Sequence, residues 1–324
     1  MELTQLIPPM FWAGFIAFVL AMLALDLFVL GGKSAHKVSV KEALSWSLAW
    51  VALALTFCAL LWNWLDGVAG REIANAKALE FLAGYVIEMS LSVDNIFVFI
   101  MIFGFFAVPE EYQRRVLVYG VLGAIVMRAI MILGGALLVQ QFHWVLYLFG
   151  AFLVITGFKM LIFAEKEADL AQNPLLKWLR GHLRITHDYE AEKFTVMKEG
   201  VRWFTPLFLV LVIVETSDVI FAVDSIPAIF AVTTDPFIVF TSNIFAIMGL
   251  RSLYFLMADL NGRFHLLKYG LALVLIFVGT KMLIVDFYKV PIGLALGVVG
   301  IILLSSVAAS LWATRNVKPE GNTP

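Results

Sequence analysis

The chain of 324 residues has one cysteine, few charged residues and no basic excess. Cys58 has no second cysteine with which to form an intramolecular disulfide, so a disulfide framework is excluded. Charged residues make up 15% of the sequence, whereas a typical soluble domain contains about 25%. The 23 Lys and Arg residues are balanced by 24 Asp and Glu residues, so we expect no nucleic-acid partner.

The sequence also lacks the motifs of several common enzyme sites. It contains no His-Glu-x-x-His zinc-protease motif, no Walker A phosphate loop and no Gly-x-Ser-x-Gly nucleophile elbow. An intramembrane aspartyl hydrolase would need only two aspartates, but nothing specific in the sequence supports that activity. We therefore expect neither an enzyme nor a permanently bound cofactor.

What the sequence has in abundance is apolar residues, which make up 62% of the chain against roughly 45–50% in soluble domains. A helix that crosses a bilayer needs about 20 mostly apolar residues. The composition therefore predicts an all-α membrane protein, residues 1–324 forming a single membrane domain surrounded by lipid. Nine runs are candidate transmembrane helices: about 10–30, 43–65, 80–106, 115–138, 142–164, 204–232, 237–258, 266–288 and 291–313.

The loop cations predict an orientation for these nine helices. With the N-terminus outside, the inside loops carry 16 Lys and Arg residues and the outside loops carry three. Because cytoplasmic loops are enriched in Lys and Arg, this bias predicts an N-terminus outside and a C-terminus in the cytoplasm. An odd number of transmembrane helices agrees with that arrangement.

Three motifs recur in the same order in the two halves of the chain, in regions 80–164 and 204–288. Each region contains three predicted transmembrane helices, so the second copy enters the membrane from the opposite side. Inverted repeats are typical of secondary transporters, which bind substrate near the midplane, although channels also contain them. The corresponding segments are Glu88 to Asp94 with Asp218 to Asp224, Arg128 with Arg251, and Gly157-Phe-Lys-Met-Leu-Ile162 with Gly279-Thr-Lys-Met-Leu-Ile284.

Six carboxylates lie inside predicted transmembrane helices. At about 2.5–3.5 kcal/mol for each charge near a helix centre, six that faced lipid would cost on the order of 15–20 kcal/mol. Arg128 and Arg251 are natural ion-pair partners, but pairing with every basic group in the membrane still leaves two negative charges. One divalent cation, or protons on two carboxylates, would balance them. The carboxylates are Asp26, Glu88, Asp94, Glu215, Asp218 and Asp224.

The candidate ligands are all oxygen atoms. Asn95 and Ser225 add neutral oxygens at equivalent positions of the two repeats. Pro227 predicts that the sixth transmembrane helix bends or unwinds near Asp224, which would free a backbone carbonyl. Oxygen ligands suit Mg²⁺, Ca²⁺ and Mn²⁺ better than Zn²⁺ or Cu⁺. The residues alone therefore predict a site for a hard cation or protons, and each carboxylate could instead form a structural ion pair.

Residues 165–203 form the only sizeable polar region, predicted to be cytoplasmic. Leucines at helical spacing near Trp178 predict a short amphipathic helix on the membrane surface. Lys198-Glu199-Gly200 predicts a hairpin turn. The segment either connects the two repeats or has a regulatory or sensing role, in which it could dock a protein partner.

The two acidic motifs resemble those of the TerC family of bacterial membrane proteins, most closely its Alx branch. The motifs are Glu88-Met-Ser-Leu-Ser-Val-Asp-Asn-Ile-Phe-Val and Glu215-Thr-Ser-Asp-Val-Ile-Phe-Ala-Val-Asp-Ser-Ile-Pro-Ala. The resemblance implies a multi-pass protein of the bacterial inner membrane, related to the lysine-exporter superfamily. It also implies a role in metal homeostasis, with Mn²⁺ export as the activity, and a link to tellurite-resistance gene clusters.

The resemblance further implies that Asp94, Glu215, Asp218 and Asp224 form the family's acidic site, with Glu88 as a less certain member. The leading hypothesis is thus a secondary exporter of Mn²⁺, coupled to proton antiport. Its predicted metal ligands are Asp94, Glu215, Asp218, Asp224, Glu88 and Asn95, supported by ion pairs from Arg128, Arg251 and Asp26.

Two other functions stay open at this point. The protein could be a non-transporting scaffold, or a partner in metal or tellurite stress resistance, that acts through residues 165–203. It could also export small organic solutes, by analogy with the superfamily. A channel and a carrier are not distinguished by the sequence.

Overall fold

The computed structural model describes residues 7–25, 39–162, 170–259 and 266–314. Within them the chain is almost entirely helical, as the sequence predicts. A 3₁₀ turn at Leu170–Gln172 and one hairpin are the other elements of these residues. The helices are α1 Pro9–Leu25, α2 Val40–Ala69, α3 Arg71–Phe105, α4 Glu110–Gln141, α5 Val145–Ile162, α6 Pro174–His182, α7 Pro206–Phe230, α8 Pro236–Asp259, α9 Leu267–Leu283 and α10 Ile292–Thr314.

Seven helices of the described residues are long and apolar enough to cross a membrane, namely α2, α3, α4, α5, α7, α8 and α10. The chain is therefore an all-α membrane protein with several membrane-crossing helices. The predicted total of nine is not confirmed, because α1 and α9 are each 17 residues long. Asp26, predicted to support the acidic site, lies outside the described residues.

Helix α3 occupies the centre of the bundle. It packs against α2, α7, α8 and α10, while α4 packs against α7 and α8, and α5 packs against α9. The contacts between the helices α3 to α5 and the helices α7 to α9 form a symmetric pattern. If each of α3, α4 and α5 is exchanged with its counterpart α7, α8 or α9, the same set of contacts results. Contact of α3 with α8, for example, becomes contact of α7 with α4.

The packing of α5 against α9 shows this correspondence at the level of single residues. A Cβ on Gly157 would lie 2.8 Å from the carbonyl oxygen of Ala272, and a Cβ on Gly279 would lie 2.7 Å from that of Gly150. Gly157 and Gly279 are 122 residues apart, and so are Gly150 and Ala272, so the shift that relates the two glycine motifs also maps one contact onto the other. Absence of a side chain at both positions lets the two helix backbones approach closely, as small residues do in membrane bundles.

We expect Gly157→Ala and Gly279→Ala each to lower the melting temperature of the detergent-solubilised protein. Overpacking costs about 1–3 kcal/mol, which exceeds the roughly 1 kcal/mol by which Ala favours a helix over Gly. Gly134→Ala is the matched control, since nothing lies within 4 Å of a Cβ there. Equal melting temperatures for all three variants would show that the α5–α9 contact is looser than described.

The structure corrects the expectation that Pro227 unwinds the transmembrane helix that contains it. Helix α7 continues without a break from Pro206 to Phe230, with Pro227 in its last turn. The amide of Ala231 donates to the carbonyl of Pro227 at 3.0 Å and closes the helix. Because the proline lies so near the C-terminus, it removes a single hydrogen bond rather than interrupting the middle of the helix.

The polar region before α7 folds as a small cap on the C-terminal end of α3 and the N-terminal end of α4. Helix α6 confirms the predicted amphipathic helix, with Leu176 and Leu179 buried against α3, α4 and α7. Strands β1 Thr195–Lys198 and β2 Val201–Phe204 confirm the predicted hairpin. Its two turn residues both have positive φ, 53° at Glu199 and 76° at Gly200, as a tight two-residue turn requires.

The cap is fastened to the connection between α3 and α4. The Tyr189 hydroxyl donates to the carbonyl of Phe106 at 2.7 Å, and burial raises the pKa of Tyr189 to about 12. Arg115 forms an ion pair with Glu192 at 3.4 Å and lies over the ring of Phe194. Residues 170–205 are therefore packed on the membrane helices.

Candidate cation site

The centre of the bundle contains an arginine held between two carboxylates. Arg128 of α4 is completely buried and forms ion pairs with Glu88 of α3 and Asp218 of α7. Its Nη2 and Nε donate to the Asp218 carboxylate at 3.0 and 3.3 Å. With all three groups ionised, one positive charge meets two negative charges, so the cluster carries a net charge of −1.

Contacts between α3 and α7 show which of their residues lie at the same level along the bundle axis. Asn95 Nδ2 donates to Asp218 Oδ1 at 3.5 Å. Nη1 of Arg128, which pairs with Glu88, also donates to Ser225 Oγ at 3.4 Å. The two helices therefore run antiparallel, with Asn95 level with Asp218 and Glu88 level with Ser225.

This register separates Asp94 from Asp224 along the bundle axis. Asp94 is level with Val219, and Asp224 is level with Met89. The two aspartates are thus five residues apart, or about 7.5 Å at the helical rise of 1.5 Å per residue.

Asp94 and Asp224 nevertheless line the same cavity, which has a volume of about 300 Å³. The Thr156 hydroxyl of α5 donates to Asp224 Oδ1 at 3.4 Å. The cavity lies between α3, α5, α7 and α9, within the part of the fold that crosses the membrane. Its lining residues are Glu88, Leu91, Asp94, Asn95, Thr156, Lys159, Met160, Phe221, Asp224, Ser225 and Leu275.

One oxygen atom in the cavity wall is left for a ligand. The amide nitrogen of Asn95 is used by Asp218, whereas its Oδ1 is buried and accepts no hydrogen bond within the described chain. The buried hydroxyl of Ser92, one turn earlier on α3, also has no hydrogen-bond partner there. A buried oxygen without a partner is costly, so a cation or water at this position would satisfy it.

The predicted ligands are not gathered into one cluster. Within the described residues, no three His, Cys, Asp or Glu side chains lie close enough together to hold a metal ion. Asp94, Asp224 and Asn95 share the cavity with Glu88, while Asp218 faces Arg128. Besides Glu88, which is paired with Arg128, the cavity thus offers two carboxylates and an amide oxygen, and the remaining ligands of a bound cation would have to be water or backbone.

Two predicted residues lie away from this cavity. Glu215 packs against Gly123 of α4, where even a Cβ would overlap its carboxylate, and it does not line the cavity. Arg251 lies beside Asp218 in a much smaller space of about 10 Å³. Arg251 and Asp218 line this space together, whereas Arg128 forms the ion pairs with Asp218 and Glu88.

Sequence reasoning missed two polar residues of the cavity, Thr156 and Lys159. Lys159 belongs to the repeated Gly157-Phe-Lys motif, so its position was visible, but its proximity to the end of the helix suggested a side chain that reaches the lipid headgroups. Comparison of the two repeats could not identify Thr156 as a polar residue of the site, because Val278 occupies the corresponding position of the second repeat.

A second buried polar cluster joins α3 to the connection between α7 and α8. Glu80 accepts hydrogen bonds from Lys77 at 2.8 Å and from Thr233 at 2.5 Å. Asp235 lies 3.8 Å from the Lys77 ammonium and caps the start of α8. Lys281, the counterpart of Lys159, donates to the carbonyl of Ala231 at 3.2 Å beside this cluster.

Comparison with known proteins gives one family. The profile of "Integral membrane protein TerC family" matches residues 73–318. Proteins named "Putative membrane-bound redox modulator Alx" are 56% identical in Salmonella typhi (over 95% of both chains) and in Escherichia coli K12 (over 97% of this chain and 98% of the relative). An uncharacterized membrane protein, STKORF319, of Myxococcus xanthus is 50% identical over 95% of this chain and 94% of its own. No solved structure matches significantly.

Proposed function

The chain belongs to the TerC family of integral membrane proteins, and from this we propose a secondary transporter that exports a hard divalent cation, with Mn²⁺ as substrate. The observation that carries the proposal is the cavity between α3, α5, α7 and α9. It contains two aspartates and a free amide oxygen in the membrane-crossing part of the bundle. Carboxylate and amide oxygens are the ligands that Mn²⁺ prefers over softer nitrogen and sulfur donors.

The charges that line the cavity support a cationic substrate. Glu88 is paired with Arg128, whereas Asp94 and Asp224 line the cavity together with one basic side chain, that of Lys159. An unbalanced charge within a membrane costs at least about 2.5–3.5 kcal/mol, so a transported cation or protons would neutralise the excess negative charge.

We propose that the two halves are inverted repeats around this site. The argument is the exchange of helix contacts described above, together with the equivalent glycine contacts of Gly157 and Gly279. Rocking of one repeat against the other would expose Asp94 and Asp224 alternately to the two sides. This is the usual behaviour of secondary transporters with inverted repeats.

Proton antiport is the coupling that we propose. The chain has no nucleotide-binding motif, so a gradient or a separate protein must supply the energy. After the cation leaves, the same carboxylates would bind protons. The neutralised site could then return to face the other side of the membrane without an unbalanced negative charge. Glu215, outside the cavity but on the same helix as Asp224, is the proposed intermediate proton carrier.

We propose the bacterial inner membrane as the location, with the N-terminus in the periplasm and the C-terminus in the cytoplasm. The bacterial relatives and the loop cations support this orientation. Cys58→Ala gives a cysteine-free chain, to which a cysteine is added at Glu199 in the hairpin or at Phe287 between α9 and α10. In spheroplasts, an impermeant maleimide is expected to label position 287 and to spare position 199 until the membrane is opened. The reverse pattern would contradict the orientation.

Export itself is tested by the manganese content of cells. A bacterial strain that is sensitive to external Mn²⁺ and expresses the chain is expected to contain several-fold less manganese than the same strain with an empty vector. Total cell manganese is measured by mass spectrometry after exposure to MnCl₂. Unchanged manganese in cells that contain the folded protein in the membrane would argue against export.

The scaffold remains the rival function, and one observation favours it. The cap carries an exposed Trp178, stacked on His182, beside exposed cations of α6. A partner protein that docks there would need this surface. Trp178→Ala that abolishes metal resistance while Mn²⁺ flux stays intact would favour the scaffold, whereas intact resistance would favour the transporter.

The name of the Salmonella and Escherichia relatives refers to redox modulation. In this chain the single cysteine is buried in α2, and its thiol lies 3.7 Å from the carbonyl of Ala78. One thiol cannot cycle between a dithiol and an intramolecular disulfide. We therefore propose that the function of this chain does not depend on thiol chemistry, so the Cys58→Ala protein should retain its full activity.

A further inference from the structure

The cavity that holds Asp94 and Asp224 also holds a permanent positive charge. Lys159 belongs to the last turn of α5 and lines the cavity, although its side chain is exposed. A residue that both lines a cavity and is exposed lies at the mouth. The ammonium is therefore placed at an opening of the cavity that contains the aspartates.

Lys159 is also coupled to one particular aspartate. Thr156, one turn before it on α5, donates to Asp224 Oδ1, which places this face of α5 against Asp224. Lys159 lines the same cavity as Asp224, so its ammonium lies within reach of that carboxylate. An ammonium on a four-carbon stem is flexible and strongly hydrated, so it can approach or leave a carboxylate without movement of the helix.

The corresponding lysine of the second repeat is used differently. Lys281 donates to the carbonyl of Ala231 and does not line the large cavity. The two repeats therefore differ at this position. If this lysine only stabilised the fold, we would expect it to make the same contacts in both copies. A lysine that acts on the cation in the cavity is needed in one copy only.

We propose that the Lys159 ammonium is a tethered counter-ion of Asp224, which the transported cation must displace, and that it makes the cavity select divalent over monovalent cations. The inference rests on the proposed cation transport. A monovalent cation that replaces the ammonium leaves the net charge of the cavity unchanged. A divalent cation adds one further positive charge, which neutralises more of the negative charge of the aspartates. The tethered charge also weakens binding of the substrate, so that the cation can be released on the other side.

The test measures Mn²⁺ binding to the purified full-length protein by isothermal titration calorimetry with MnCl₂, with and without 150 mM NaCl. Lys159→Gln is expected to bind Mn²⁺ about tenfold more tightly than the unaltered protein. It is also expected to lose that affinity when Na⁺ is present, since Na⁺ can then occupy the position of the ammonium. Lys159→Arg, which keeps the charge, is expected to restore both the weaker affinity and the resistance to Na⁺.

Lys281→Gln is the matched control, because it removes one positive charge from the equivalent position of the other repeat. It is expected to bind Mn²⁺ as the unaltered protein does. The inference is overturned if Lys159→Gln and the unaltered protein bind Mn²⁺ equally and with equal Na⁺ sensitivity, or if Lys281→Gln changes binding as much. If the unaltered, folded protein binds no Mn²⁺ at all, the proposed function fails, and this inference fails with it.

Discussion

Asp94→Asn and Asp224→Asn are each expected to lower Mn²⁺ transport at least about 10-fold while leaving the protein folded. Each substitution keeps the shape of the side chain and removes one of the two carboxylates that share the cavity. Loss of residues that merely support metal ligands already lowers affinity or activity by about 10–100-fold, so loss of a ligand should lower it at least as much. Uptake of Mn²⁺ into inside-out membrane vesicles measures the effect.

Asp66→Asn is the matched control for these two variants. Asp66 forms an ion pair with Arg71 at the junction of α2 and α3, at a distance of 2.7 Å and in an exposed position. Exposed ion pairs contribute about 0–1 kcal/mol, so this variant should fold and transport normally. Full transport by Asp94→Asn or Asp224→Asn would show that the cavity is not the substrate path.

Arg128→Met is expected to destabilise the protein by about 3–5 kcal/mol. The substitution leaves two buried carboxylates, Glu88 and Asp218, without the guanidinium that holds them together, and breaking a buried ion pair is known to cost about this much. The thermal melting temperature of the protein in detergent, with binding of Mn²⁺ measured in parallel, gives the result.

A triple variant separates this charge effect from a simple loss of packing. Removing the whole cluster by Glu88→Met, Arg128→Met and Asp218→Leu should recover much of the stability, because replacement of a complete buried ion-pair cluster by well-packed hydrophobic residues of similar volume is often neutral or stabilising. A triple variant no more stable than Arg128→Met alone would mean that the volume of the arginine, rather than its charge, holds the three helices.

Much of the fold was predictable because membrane helices carry a strong local signal. Apolar length alone located α2 to α5, α7, α8 and α10, and the turn chemistry of Glu199-Gly200 located the hairpin. The effect of Pro227 was not predictable, since its consequence depends on its distance from the end of α7, and helix ends are the least certain part of such a prediction. For the same reason, the sequence did not predict that α9 is only 17 residues long.

The candidate site was predictable in its residue types and not in its arrangement. The carboxylate motifs identified Asp94 and Asp224, and the charge deficit identified Arg128. The sequence could not tell that Glu215 faces Gly123, because the side of a nearly uniformly apolar helix that faces the protein has no periodic signal. Nor could it tell that Lys159 lines the cavity, since a lysine near a helix end usually reaches for the headgroups.

The central claim is that this chain alone moves a divalent cation in exchange for protons. The most direct test is Mn²⁺ flux into proteoliposomes that contain only the purified protein, in the presence of an imposed pH gradient. Flux that follows the gradient, reverses when the gradient is inverted and disappears in Asp224→Asn is the result that we expect. Absence of flux from folded protein under both gradient directions would contradict the account and leave the cap, with its exposed Trp178, as the functional surface.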